Sequence, residues 1–114
     1  MKPKLKRVYA EPAHDDGTRI LVDRLWPRGL TKEKAHVDLW LKDVAPSTEL
    51  RKWFAHDPAR WTEFKSRYRA ELRKNGEPLA ALKQAVAKGP STLLYGAKDE
   101  EHNEAVVLLD LVER

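Results

Sequence analysis

The chain contains no cysteine among its 114 residues. This absence excludes disulfides, thiolate zinc sites and cysteine nucleophiles, and it is compatible with a cytoplasmic location. No apolar run approaches the roughly 20 residues that a membrane-spanning helix needs. The basic N-terminal stretch MKPKLKRVY lacks the apolar centre of a secretory signal. We therefore expect a cytoplasmic protein without a membrane segment.

The composition is that of a globular protein, with 41% hydrophobic and 35% charged residues. A chain of this length can bury roughly two-thirds of its unfolded surface without disulfides or metals. Repeats, low-complexity tracts and linkers are lacking, so we expect one α/β domain over residues 1–114. Residues 1–6 form a basic N-terminal tail in this interpretation. Such a tail is either a solvated terminus or an arm that contacts nucleic acid.

Two short apolar runs predict the central strands of a sheet. Ile20, Leu21 and Val22 form one run, and Leu93 and Leu94 belong to the other. Successive apolar residues without alternation indicate strands that are covered on both faces. The stretch KRVYA is a further strand candidate. The stretch HVDLWLKDV fits either a strand or a helix, and the Ala-Pro pair that follows it favours a strand.

The segments between the strands have the periodicity and capping residues of helices. Thr31, Ser47, Asp57 and Asp99 are the expected N-caps, and Pro58 follows Asp57 at the first helical position. Strands that alternate with helices predict an α/β fold, a three-layer sandwich with a small, mainly parallel sheet flanked by helices. Ligands of such sheets bind beyond the carboxyl ends of the strands.

Two polar segments, DRLWPRG and YGAKDEEHN, begin at the expected carboxyl ends of the central strands. They contain all the candidate site residues. The candidate catalytic residues are Asp23 and His102, and the candidate ligand-binding residues are Arg24, Trp26, Arg28, Lys98 and Asn103. A turn stiffened by Pro27 could present an indole and a guanidinium to a planar anionic ligand.

Each of these candidates also has a structural interpretation. Asp23 and Arg24 could form a local ion pair, Trp26 could cover the sheet edge, and Arg28 could pair with a neighbour. A lone histidine such as His102 is more often structural than catalytic. The four histidines show no paired spacing of the kind found in zinc motifs, so the sequence indicates no metal site. A site that folding assembles from His102 and a carboxylate is left open.

Three long segments of the chain resemble the YeaO-like family of small bacterial proteins, domain of unknown function 488. These segments are RILVDRLWPRGLTKEKA, LKDVAPSTELRKWFAHDPARWTEF and TLLYGAKDEEHNEAVVL, and the resemblance extends from about Arg7 to Leu109. It implies an α/β fold and a cytoplasmic bacterial protein without an established activity. Longer relatives carry a cysteine at the strand end that matches Tyr95-Gly96 and a His-Arg pair that matches His102-Asn103. The resemblance therefore implies no shared thiol chemistry.

The leading functional hypothesis is a protein that binds a small anionic or nucleotide-like ligand at the carboxyl ends of the strands. Whether it is also an enzyme, which cofactor it would use and how it oligomerises are left open. One alternative is a nucleic-acid-associated accessory protein that uses the basic tail and the helical ridge of Lys65, Arg69 and Arg73. Another alternative is a module that binds a protein through exposed tryptophans.

Overall fold

A computed structural model describes residues 2–113, and its centre is a four-stranded parallel sheet. The strands are β1 (Lys4–Arg7), β2 (Thr18–Leu21), β3 (Leu39–Trp40) and β4 (Ser91–Tyr95). Their order across the sheet is β1-β4-β2-β3, and every described pair is parallel. The parallel sheet confirms the predicted fold class.

The two central strands, β2 and β4, lie side by side and are buried as predicted. Ile20 is opposite Leu93, and Leu21 is opposite Leu94. These four side chains and that of Val22 have no exposed surface. Because side chains alternate between the faces of a strand, Ile20 and Leu93 lie in one core cluster, whereas Leu21 and Leu94 lie in another.

Helices cover the two faces of the sheet unequally. The five helices are α1 (Lys32–Ala35), α2 (Thr48–Phe54), α3 (Trp61–Lys74), α4 (Glu77–Ala87) and α5 (Glu104–Val112). The larger core cluster joins one face of the sheet to buried residues of α2 to α5. The smaller cluster joins the other face to Ala35 of α1 and to side chains of the neighbouring loops. One outer layer of the sandwich is therefore much thinner than the other.

Three of the predicted caps are present in the structure. Thr31 accepts a hydrogen bond from the backbone of α1, and Ser47 does the same for α2. Asp57 accepts a hydrogen bond from the amide of Ala59 at 3.0 Å and caps a short 3-10 turn that leads into α3. These side chains satisfy amides that have no partner inside the helix.

Two boundary predictions were wrong. The expected tail at residues 1–6 runs into the sheet, because β1 begins at Lys4. Met1 lies outside the described residues. Asp99 does not cap the last helix, which begins at Glu104 with Asn103 as its N-cap. Asp99 instead accepts hydrogen bonds from the amides of Glu101 and His102 in the preceding turn.

The stretch HVDLWLKDV contains only a short strand. Leu39 and Trp40 pair with β2, and a 3-10 turn follows at Lys42–Val44. No helix in the described part of the chain is long and apolar enough to cross a membrane.

Candidate functional site

A cleft of about 480 Å³ opens at the carboxyl ends of β1, β2 and β4. This is the side of the sheet that the sequence predicted for a ligand. The segments that follow the three strands contribute to its lining, and α2 and the first residue of α5 contribute from the thicker helical layer. The charged and titratable side chains of the lining are Tyr9, Asp23, Arg24, Arg28, Arg51, His56 and Glu104.

Asp23 connects the ends of the two central strands. Its Oδ2 atom accepts a hydrogen bond of 2.8 Å from the backbone amide of Gly96, directly after β4. The carboxyl group of Glu104, the first residue of α5, lies in the same lining. Asp23 thus joins the ends of β2 and β4, and the ion pair with Arg24 that the sequence allowed is not present.

Glu104 is the acidic partner that the sequence did not reveal. Burial raises the pKa of this carboxyl group well above its usual value, and the neighbouring carboxyl group of Asp23 raises it further, whereas the charge of Arg51 lowers it. Nothing in the local sequence pattern distinguishes Glu104 from the other acidic residues near the start of α5.

Arg24 is held mainly by backbone carbonyl groups. Its Nε atom donates to the carbonyl oxygen of Pro46 at 3.3 Å, and a terminal nitrogen donates to that of Ala45 at 3.2 Å. Arg24 thereby anchors the segment before α2. Its side chain still lines the cleft and adds a positive charge to it.

The turn at Trp26, Pro27 and Arg28 forms another wall. The indole of Trp26 donates to the carbonyl oxygen of Leu30 at 2.7 Å and makes an edge contact with Trp40, with ring centroids 5.5 Å apart. Arg28 is exposed, and its carbonyl oxygen accepts a hydrogen bond from Tyr9. Among the described residues, none forms a hydrogen bond or an ion pair with the Arg28 guanidinium.

Two further lining residues, Arg51 and His56, were not among the candidate site residues. Arg51 lies on α2, and its guanidinium has no hydrogen bond or ion pair within the described chain. Ala55 and His56 both adopt left-handed backbone conformations, with φ of 48° and 56°. This turn ends α2 and places His56 beside the cleft. Only the tertiary position of α2 brings these residues to the sheet, so no sequence pattern marks them.

The remaining candidates lie at or beyond the edge of the cleft. Asn103 is buried and lines it, but its amide is engaged with Asp99 and its carbonyl with Val106. His102 does not line the cleft, because its Nδ1 atom contacts Asp99 at 2.9 Å and its ring meets Trp61. Lys98 is exposed and is also absent from the lining.

The described residues contain no group of three or more histidines and carboxylates that could hold a metal ion. The cleft therefore offers arginines, a carboxyl pair and aromatic walls as its means of recognition. Guanidinium groups suit carboxylate, sulfate and phosphate oxygens.

Comparison with known proteins identifies the family. A family model described as "Inactive DUF488-N3 subclade" matches residues 2–114. The uncharacterised protein YeaO of Escherichia coli (strain K12) is 44% identical over 110 residues, covering 96% of each chain. An uncharacterised protein of Mycobacterium tuberculosis (strain ATCC 25618 / H37Rv) is 41% identical over 109 residues, covering 96% of this chain and 92% of its own. No solved structure matches significantly. The chain belongs to this DUF488 subclade, which confirms the resemblance found in the sequence.

Proposed function

We propose that this member of the DUF488-N3 subclade binds a small anionic ligand in the cleft without transforming it. The observation that supports the proposal is the pair of cleft arginines, Arg28 and Arg51, that have no hydrogen bond or ion pair within the described residues. Arg24 adds a third positive charge beside them. Both side chains are exposed, so their guanidinium groups are free to hold an oxyanion in a bidentate way.

The aromatic lining favours an anion that has a planar or apolar part. Trp26 and Pro27 contribute from the turn, and Phe54 and Phe64 contribute from the helical layer. Trp26 is fixed by its hydrogen bond to Leu30. A fixed indole beside guanidinium groups can stack on a planar group while the arginines hold its charge.

The chemistry of the lining favours binding over catalysis. Within the described residues, the lining contains no serine, threonine or lysine, and the carboxyl group of Asp23 accepts a hydrogen bond from the Gly96 amide. His102 is directed at Asp99 and Trp61 instead of the cleft. The description of the family model as inactive agrees with this proposal. Asp23 and Glu104 then serve to shape and charge the site.

The nucleic-acid alternative has weaker support. Lys4 and Lys6 pair with Asp15 and Asp16. Arg69, the centre of the basic ridge, is bonded to Asp110 at 3.0 Å. Basic residues that are already paired contribute less to the phosphate contacts on which nucleic-acid binding depends.

Calorimetric titration with sulfate, phosphate and a panel of nucleotides tests the proposal. We expect saturable binding of at least one of these anions. The double substitution Arg28→Ala and Arg51→Ala should reduce the affinity by more than roughly tenfold, since each charge-assisted hydrogen bond contributes about 1.5–3 kcal/mol. The stability should change little, because both side chains are exposed.

Lys52→Ala is the matched control. Lys52 is the exposed neighbour of Arg51, it has the same charge, and it does not line the cleft. This variant should bind as the wild type does. Absence of saturable binding to every anion in the panel, or an equal loss in the control, would contradict the proposal.

A further inference from the structure

The cleft contains acidic groups as well as arginines, and its acidic groups lack a direct partner. Asp23 and Glu104 both line it. The Oδ2 atom of Asp23 accepts a hydrogen bond from the Gly96 amide, but its Oδ1 atom is buried and has no hydrogen-bond partner within the described residues. Within the same residues, neither carboxyl group forms an ion pair. A buried oxygen without a donor is costly, because it has lost its contact with water and gained nothing in return.

Asp16 shows how the same fold accommodates a buried acid elsewhere. Its carboxylate forms ion pairs with Lys6 and Arg19. At the cleft, the charge of Arg51 acts on Glu104, but no ion pair joins these two groups within the described chain. The acidic side of the cleft therefore lacks the cationic partners that Asp16 has.

We propose that the ligand of the cleft carries a protonated amine beside its anionic group, and that this ammonium group binds at Asp23 and Glu104 while the arginines hold the acid. The proposal rests on the proposed function, because it concerns the same cleft. It narrows the ligand to small amine-bearing acids, the class that includes amino acids, aminosulfonates and aminoalkyl phosphates.

The mixed charges of the lining support such a ligand. Arg24, Arg28 and Arg51 attract an acid group, but Asp23 and Glu104 repel it from the same cleft. An amine joined to the acid turns this repulsion into an attraction. Its positive charge acts on both carboxyl groups through space, so it is favourable even without touching the covered Oδ1 atom. A small side-chain shift would add a direct hydrogen bond.

The chemistry of an ammonium group matches the acidic side, and the rest of the cleft accommodates a small molecule. An ammonium group has three donors and no acceptor, whereas an ionised carboxyl group only accepts. The cleft has a volume of about 480 Å³, and the rings of Trp26, Phe54 and Phe64 belong to its lining. An apolar group between the amine and the rest of the ligand can therefore pack against aromatic walls.

Pairs of probes that differ only by the amine test the proposal. Suitable pairs are L-phenylalanine with 3-phenylpropionate, taurine with ethanesulfonate, and phosphoethanolamine with ethyl phosphate. Calorimetric titration at neutral pH, where these amines are protonated, gives the affinity of each probe. We expect the amine-bearing member of at least one pair to bind about tenfold more tightly than its partner, or more, because a hydrogen bond between charged groups contributes at least this factor.

Asp23→Asn tests the role of the carboxylate in this preference. The amide oxygen of asparagine can keep the hydrogen bond from Gly96, which places the amide nitrogen, a donor, where the Oδ1 atom now lies. This variant should bind the amine-bearing probe more weakly and the amine-free probe more tightly, because a negative charge is gone. A purely structural role of Asp23 would weaken both probes alike, and that result would contradict the proposal.

Asp43→Asn is the matched control. Asp43 is exposed, lies in the turn at Lys42–Val44 and does not line the cleft. It should leave the preference for the amine unchanged, and an equal loss of preference in both variants would count against a specific role of Asp23.

The comparison of probe pairs on the wild type is decisive even if the asparagine variant does not fold. Binding of sulfate, phosphate, a nucleotide or an amine-free probe, without tighter binding of the amine-bearing member of any pair, would overturn this inference and leave the proposed function intact. Absence of binding to every one of these anions and to every amine-bearing probe would overturn both.

Discussion

Replacing Asp16 with alanine should destabilise the fold far more than replacing its neighbour Asp15. Asp16 is only 3% exposed, and its Oδ2 atom accepts hydrogen bonds from Arg19 at 2.5 Å and from the amide of Ala13 at 2.9 Å. Lys6 donates to both carboxylate oxygens at 3.2 Å. Asp15, in contrast, is exposed, and its side chain pairs with Lys4 at 2.9 Å.

The size of the expected stability loss follows from the contacts that Arg19 keeps and loses when Asp16 is replaced. Arg19 is 4% exposed, and two of its other donors are bonded to the carbonyl oxygens of His36 and Ala35. Without Asp16, this buried guanidinium keeps those partners but loses its counter-charge. Breaking a buried ion pair in this way typically costs about 3–5 kcal/mol. Such a loss is a large part of the roughly 5–15 kcal/mol that stabilises a typical domain.

The pH dependence of stability should change in the same variant. Desolvation tends to raise the pKa of Asp16, but hydrogen bonds from Ala13, Lys6 and Arg19 outweigh it, so the pKa is lower than usual. A lowered folded-state pKa gives stability that is present above the pKa of the unfolded chain and is lost as the pH falls through the folded value. Asp16→Ala should therefore be less sensitive to acid than the wild type.

Urea unfolding followed by tryptophan fluorescence measures these differences, and the chain has four tryptophans. Asp15→Ala is the matched control, since it removes the same charge one residue away. Asp16→Asn keeps the shape of the side chain and separates charge from packing. A loss of less than about 1 kcal/mol in Asp16→Ala, below the usual cost of breaking a buried pair, would refute the importance of the cluster.

Two further predictions concern a cap and a turn. Asp57→Ala should lower the free energy of unfolding by about 1 kcal/mol, because it removes the hydrogen bond to the amide of Ala59, and an unchanged urea midpoint would show that Asp57 is not a cap. Gly17→Ala should lower the Tm more than Gly29→Ala. Both glycines have positive φ, but only at Gly17 would a Cβ atom overlap the carbonyl group of Pro90, so equal losses would rule out the steric explanation.

The central strands could be predicted from the sequence because a strand that is buried on both faces consists of consecutive apolar residues. Ile20 and Leu21 face opposite clusters, so both must be apolar, and the run is continuous. The side of the sheet on which the cleft opens followed from the parallel direction of the strands alone. The sequence placed the start of α5 too early, because acidic residues just before a helix resemble the acidic residues of its first turn. Asp99 and Asn103 are both good caps, and only the chain path decides between them.

The site was only partly predictable, because a partner distant in sequence decides what each charged residue does. Arg24 and Arg28 are four residues apart and share one turn, yet Arg24 is bound to two carbonyl groups whereas Arg28 remains exposed. The carbonyl groups belong to Ala45 and Pro46, whose position depends on where α2 lies on the sheet. In the same way, Glu104 joins the lining of the cleft only because α5 is docked beside the sheet.

The end of β4 shows why a side chain at Gly96 would disturb the edge of the cleft. The family resemblance places a cysteine of longer relatives at the strand end where this chain has Tyr95 and Gly96. Here the Gly96 amide donates to Asp23, and a Cβ atom at Gly96 would lie 3.0 Å from the Asp23 Oδ2 atom. A side chain at this position would crowd that carboxylate and the hydrogen bond that it accepts. Glycine at this strand end therefore lets Asp23 join the ends of the two central strands beside the cleft.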